Sequence, residues 1–316
     1  MKDINKILFG VIASWAILAT IFGFYDLEIS KQATMYKDLQ IFDFGNNHGT
    51  HFDDPFLYIS ITVLLGSIFN DIKMQRKIGI IMIAYATVYL EYMQLKSNGD
   101  GMFVPYTIII FLIIFYILTY NINWRKFIPI ATSMILLYFF TNVIVHVMKI
   151  QWGRVRYEDL TSESDFTPWY VINGPDLNNE SFPSGHAASA FSFLPLLILI
   201  NNKKMSNKSK IILICSVVGF GLYVGLGRIV DGKHYASDVL FSAGICSVMT
   251  ISFYKLFRTL NFNINVNDLG PMNNLPEVIY SDLTNQWLGC YYNQKGNKFW
   301  KWFNSYEDAI NYTPTI

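Results

Sequence analysis

The sequence predicts an all-α fold, a polytopic transmembrane helical bundle of about eight spans, and three observations predict it. Hydrophobic residues make up 52% of the 316-residue chain and charged residues 15%, where a soluble domain carries roughly a quarter charged. The apolar residues come in blocks of membrane-crossing length rather than scattered along the chain. The basic residues between those blocks cluster in every second connection. The formal net charge of +1 names no partner, and no basic stretch has the character of a nucleic-acid-binding segment. Cys215 and Cys246 fall in predicted helices and Cys290 in a polar tail, with no Cys-x-x-Cys. Neither a disulfide framework nor a zinc site is therefore expected.

Taken in order, the blocks lie at about 7–25, 55–70, 78–95, 104–120, 127–148, 186–200, 211–228 and 236–257. Lys2 and Lys6 precede the first, which is long for a signal-peptide core and lacks a small-residue cleavage site, so an uncleaved span is expected. The connection 26–54 is acidic, with Asp26, Glu28, Asp38, Asp43, Asp53 and Asp54. His48 and His51 beside Asp53 and Asp54 raise the question of a metal cluster but lack a convincing third ligand. Lys73, Arg76 and Lys77 follow the second block, and Arg125 and Lys126 the fourth. Lys203, Lys204, Lys208 and Lys210 follow the sixth, and Lys255 and Arg258 the eighth. All these clusters fall on one side, which the positive-inside rule makes cytoplasmic, together with both termini. Within the blocks, Glu91 reads either as functional or as snorkelling, and His146 as structural or as an assistant to a nearby site. Gly221, Gly225 and Gly227 suggest close helix packing. Trp152, Trp169 and Tyr170, in the outer connection 150–185, suit headgroup anchoring or substrate contact.

The organisation expected is three-part: N-terminal helices and an outer loop over 1–126, a core over 127–260, and a small polar cytoplasmic module over 261–316. In that module, 287–292 and 298–303 read as strands joined by a Gly-containing turn at 293–297, and Ser305-x-x-Asp308 as a helix start.

Three stretches at predicted outer helix ends carry chemistry. Lys149-x6-Arg156, with Arg154 inside it, breaks the inside-positive bias. Anion binding and snorkelling to headgroups both account for it. Pro183-Ser184-Gly185-His186 makes a tight turn into a helix, where free N–H groups suit an anion. A helix cap with an incidental histidine is the plainer reading. In Arg228-x5-His234-x3-Asp238, the histidine and carboxylate stand one helical turn apart, so Asp238 can fix the imidazole tautomer. Arg228 can clamp phosphate oxygens bidentately, and a helix-cap pair with a juxtamembrane arginine is again the alternative. Together the stretches hold what is needed to bind a phosphate at a membrane surface and transfer it through histidine.

In order and spacing they resemble the signatures of the type 2 phosphatidic acid phosphatase (PAP2) superfamily, over roughly residues 127–257. The resemblance implies a six-helix core with its site at the outer membrane boundary and no metal or other cofactor. It implies His234 as nucleophile, Asp238 as its orienting group and His186 as the acid for the leaving oxygen. Lys149, Arg156, Ser184, Gly185 and Arg228 would bind phosphate, with Arg154 an auxiliary candidate favouring a diphosphate. On that alignment Arg154→Ala is milder than Arg156→Ala. Two positions depart from the family pattern. Tyr157 stands where proline usually follows the arginine, which relaxes the loop. Gly227 stands where serine usually precedes Arg228, which removes one donor.

The activity this implies is metal-independent hydrolysis of a lipid phosphate or diphosphate at the outer face, through a phosphohistidine. Candidate substrates are undecaprenyl diphosphate, phosphatidylglycerol phosphate, phosphatidic acid and a phosphorylated glycolipid such as lipid A. A lipid-to-acceptor phosphotransferase and a non-catalytic lipid-phosphate binding or transport protein are the rival readings. The vanadium haloperoxidases share similar pocket residues, but eight spans do not suit that soluble class. The richness in Asn, Lys and Ile fits a bacterial cytoplasmic membrane.

Overall fold

A computed structural model describes residues 2–49, 51, 53–97, 103–175, 179–201, 205–259, 277–281, 286–292 and 298–312. The chain divides into two compact units, Met1–Leu269 and Gly270–Ile316.

The first unit is helical throughout its regular structure. Its elements are α1 (Lys2–Thr34), α2 (Asp43–His48), α3 (Asp53–Ser67), α4 (Ile72–Ser97), α5 (Phe103–Leu118), α6 (Ile128–Trp152), α7 (Gly185–Phe191), α8 (Asn207–Val230) and α9 (Ala236–Thr259). Every apolar block of the sequence has a helical counterpart. Among the described residues, five segments are long and apolar enough to cross a membrane: Ile4–Thr34, Ile72–Lys96, Trp124–Asp159, Asn207–Val230 and Ala236–Phe257. Phe103–Leu118 and Gly185–Asn201 are shorter apolar helices.

The sixth block departs from a single helix. It forms α7 and then a 3₁₀ stretch, Leu194–Asn201. Pro195 has no N–H to give the Phe191 carbonyl, and its ring crowds the preceding turn, so α7 stops there. The first block departs in the other direction. Hydropathy ends it at residue 25, yet α1 runs nine residues further, to Thr34, because its ladder needs only i→i−4 hydrogen bonds. Asp26 is thus a buried helix residue and not part of an outer loop.

α1 packs along α9, with Trp15 against Gly244, and α3 packs on α6 and α5. The largest buried cluster includes Leu137 and Val145 of α6, Ala187 and Phe191 of α7, Val217 of α8, and Val239 and Cys246 of α9. Three helix ends set up the functional region. α6 closes at Gly153, whose left-handed φ of 51° lets its N–H bond the Lys149 carbonyl. α7 opens on Ser184, whose hydroxyl accepts the Ala187 N–H at 3.3 Å. α8 ends in a turn through Gly232, φ 74°, that folds the Lys233 and His234 N–H groups back on the Arg228 carbonyl.

The second unit is an antiparallel sheet ordered β1 (Glu277–Ser281), β2 (Gln286–Tyr292), β3 (Lys298–Phe303), followed by α10 (Tyr306–Asn311). Glu277 pairs with Cys290, and Trp287 with Phe303. The expected strands and the Ser305 cap are present; β1 was not expected from the sequence, and the turn at 293–297 lies outside the described residues. Trp287 packs edge-on against Tyr306, whereas Trp300 and Trp302 are about half exposed.

Candidate active site

The three predicted stretches meet at one end of α6, α7, α8 and α9. Lys149 occupies the last turn of α6, and its Nζ lies 3.5 Å from Glu180. Arg156 follows in the loop beyond Gly153. Arg228 sits in the last turn of α8, its Nη1 4.0 Å from Asp231. The Nε atoms of both arginines are buried and have no hydrogen-bond partner among the described residues. His186 lies in the first turn of α7, where its ring meets the Asn46 backbone. Lys149, Arg228 and His234 are all near enough to act on that ring electrostatically. A Cβ at Gly185 would meet open space, so the mouth of α7 is accessible.

His234 is 2% exposed. Its Nδ1 lies 2.6 Å from the Ser181 carbonyl, an acceptor only, so Nδ1 carries the proton and Nε2 keeps its lone pair. Burial is the main reason its pKa falls to about 4, opposed by Asp238. Asp238 is 3.5 Å from Nδ1, further than the Ser181 carbonyl. Its Oδ2 accepts from Ser181 Oγ at 2.6 Å and from the Tyr235 N–H at 2.8 Å. Asp238 therefore holds the Ser181 segment and the start of α9 together, and Ser181 contacts the imidazole directly. Ser181 belongs to no predicted motif, and nothing in the local sequence marks it.

Arg154 corrects an expectation. The sequence makes it an auxiliary candidate for a second phosphate, but its guanidinium is fully buried and spent on protein groups. Nε donates to the Thr167 carbonyl at 2.9 Å, and Nη1 to Ser237 Oγ at 2.8 Å and Asp238 Oδ1 at 2.6 Å. Nη2 donates to Asp26 at 3.0 Å, and the Tyr235 ring lies beneath the guanidinium at 4.0 Å.

Both departures from the family pattern have local reasons. With tyrosine in place of proline, the loop after Arg156 is pinned by the Glu158 N–H on the Gly232 carbonyl at 3.0 Å and by Lys233 on Glu158 at 2.7 Å. A side chain at 227 would meet Asn46 Oδ1 at 3.0 Å and Phe42 Cβ at 3.2 Å, so the segment before α3 leaves little room for one there. Ser184 is fully buried, and its hydroxyl caps α7.

The other candidates lie elsewhere. His48 stacks on Phe103 at 3.8 Å, and His51 lies 3.7 Å from Asp54. No group of three or more metal-ligand side chains assembles among the described residues. His146 and Glu91 are exposed on their helices. Trp152 donates its indole N–H to the Trp169 carbonyl at 2.6 Å, and Trp169 donates to the Ala19 carbonyl at 2.7 Å. Those rings dock the long connection onto α1.

Residues 126–262 match the PAP2 superfamily. The match is a similarity of this segment, which is under half of the chain. A lipid A 4'-phosphatase from Francisella tularensis subsp. novicida is 32% identical over 120 residues, which cover 36% of this chain and 51% of that relative. A PA-phosphatase related-family protein from Dictyostelium discoideum is 30% identical over 115 residues, covering 34% of this chain and 29% of that relative. The chain thus spans about half the length of the first relative and under a third of the second. No solved structure matches the chain significantly. The PAP2 segment contains every residue of the three stretches, but Asp26 and Asn46, which reach into the region, lie outside it.

Proposed function

We propose that the chain is a membrane-embedded phosphatase that hydrolyses a lipid phosphate or diphosphate through a phosphohistidine at His234. One observation carries this reading. Two arginines and a lysine converge beside two imidazoles, and the arginine Nε atoms are buried without a protein acceptor among the described residues. Buried donors and charges need partners, and a phosphate supplies them. The name of the Francisella relative supports a lipid as the phosphate carrier.

The chemistry then follows from the residues. Lys149, Arg156, Arg228 and the Gly185 N–H hold the phosphoryl oxygens and offset their charge. The Nε2 lone pair of His234 forms an N–P bond as the P–O bond to the lipid breaks. The departing electron pair stays on the lipid oxygen, which takes a proton from His186. Burial and then the cations around His186 oppose a positive ring until substrate phosphate arrives to offset the cations. His186, now neutral, takes a proton from water, whose oxygen displaces Nε2 and releases inorganic phosphate. Asp238 acts by holding the Ser181 segment against His234.

The basic connections between spans support a site facing outward, with both termini in the cytoplasm. A panel of lipid phosphates and diphosphates in detergent, with phosphate release as readout, tests the reading. Turnover of at least one lipid by the wild type and none by His234→Ala is expected. Undiminished release by His234→Ala overturns it. Release that requires an added acceptor identifies a phosphotransferase instead.

A further inference from the structure

Asp26 lies on α1, about a hundred residues before the PAP2 segment begins, and its side chain is fully buried. Its Oδ1 accepts the Ser237 N–H at 2.9 Å. Its Oδ2 accepts from Arg154 Nη2 at 3.0 Å and from the Ser237 hydroxyl. Arg154 in turn holds Asp238 Oδ1 at 2.6 Å, and Asp238 Oδ2 faces Nδ1 of His234 at 3.5 Å. A continuous chain of polar contacts therefore joins the first helix to the proposed nucleophile.

The charges in this chain do not cancel. By formal charge, two carboxylates and one guanidinium leave one net negative charge behind the imidazole. Without Asp26, Arg154 and Asp238 would neutralise each other, and the ring would face no net charge on that side. A phosphoryl group joining Nε2 puts positive charge on the ring, which a negative partner behind Nδ1 favours. Stability alone does not account for the arrangement, because a buried ion triad is often no more stabilising than apolar residues of the same volume.

Resting on the phosphohistidine reading, we propose that Asp26 is a positioning residue for His234. It saturates Arg154, so that Asp238 keeps its charge and its place behind the imidazole. The first helix is then part of the active-site machinery and not only a membrane anchor.

The test compares Asp26→Asn, Asp26→Gln and Asp26→Glu in full-length protein, with His234→Ala beside them. Turnover of whichever lipid phosphate the panel identifies is measured per monodisperse protein. Asn and Gln are expected to lower kcat about 10- to 100-fold, by analogy with the partners that orient metal-bound histidines, with KM changed by less than about threefold. Glu, which differs from Gln in charge and little in size, is expected to restore most of kcat. Because the Glu–Gln comparison holds size constant, it decides the matter even if Asn misfolds. Wild-type kcat in Asn or Gln overturns the proposal, as do equal losses in Glu and Gln or a loss confined to thermal stability. If His234→Ala retains turnover, the phosphohistidine reading fails instead, whatever Asp26 does.

Discussion

Replacing Arg154 with alanine removes a cation that two buried carboxylates share. In the wild type its guanidinium makes four hydrogen bonds, to Thr167, Ser237, Asp238 and Asp26, and both ion pairs are wholly excluded from solvent. Breaking one buried ion pair by deleting a partner costs about 3–5 kcal/mol, chiefly because the other charge is left uncompensated. Here two carboxylates are stranded, and the void left by the side chain adds to the cost. Domains are stable by about 5–15 kcal/mol, so Arg154→Ala is expected to take a third or more of the stability of this unit. The assay is thermal unfolding of purified protein in detergent, followed by intrinsic tryptophan fluorescence, with Arg156→Ala as the comparison. Arg154→Ala is expected to unfold well below wild type and to lose turnover at temperatures where Arg156→Ala is still folded. This reverses the order expected from sequence alone, which made Arg154→Ala the milder change. An Arg154→Ala protein with wild-type stability and activity would refute the role assigned to the buried triad.

Other outcomes follow from the same geometry. Lys149→Ala, Arg156→Ala and Arg228→Ala should each lower kcat/KM by about 10²–10³-fold while leaving the unfolding midpoint near wild type; loss of stability in step with activity would make them structural. The pKa of His234 falls from about 6.5 in an unfolded chain to about 4 in the fold, so its Nε2 stays unprotonated well below neutral pH. An acidic limb near pH 6 in kcat/KM must therefore come from elsewhere, such as the second ionisation of a phosphate monoester at about 6. Replacing the monoester with a substrate of lower second pKa should move that limb, and a limb that stays put would return it to a protein group. The same shift fixes the sign of the stability effect. As pH drops from about 6.5 to 4 the unfolded chain takes up a proton that the fold refuses, so His234 makes the protein less stable across that window and adds no further loss below it. Gly227→Ser restores the residue usual in the family but brings its Cβ to 3.0 Å from Asn46 Oδ1 and 3.2 Å from Phe42 Cβ. It should destabilise by about 1–3 kcal/mol and lower activity, and a gain in turnover would show that the segment around α2 yields easily.

Sequence could reach those parts of the site whose residues are close along the chain. His234 and Asp238 share a helical turn, Ser184 caps the helix that carries His186, and Lys149 and Arg156 flank one helix end, so spacing alone suggested their company. Arg154 was out of reach because its partner Asp26 lies 128 residues away, and no local pattern separates a cation bound to two carboxylates from one facing a phosphate. Asp26 itself was assigned to an outer loop because polar residues end a hydropathy block, whereas a helix continues as long as its backbone ladder does. Ser181 and Asn46 meet the histidines through backbone carbonyls, which every residue possesses and no sequence motif can mark. Pro195 did announce the break after α7, but the apolar run around it concealed the change from α-helix to 3₁₀.

The central claim is that His234 carries the phosphoryl group, and trapping that group tests it most directly. Purified protein is mixed for a few milliseconds to seconds with a ³²P-labelled lipid phosphate, quenched in alkali, digested, and the labelled peptide sequenced by mass spectrometry. An alkali-stable, acid-labile label on the peptide containing His234, present in the wild type and missing from His234→Ala, is the expected result. Label on a different residue, or full turnover with no label at any time point, would contradict it.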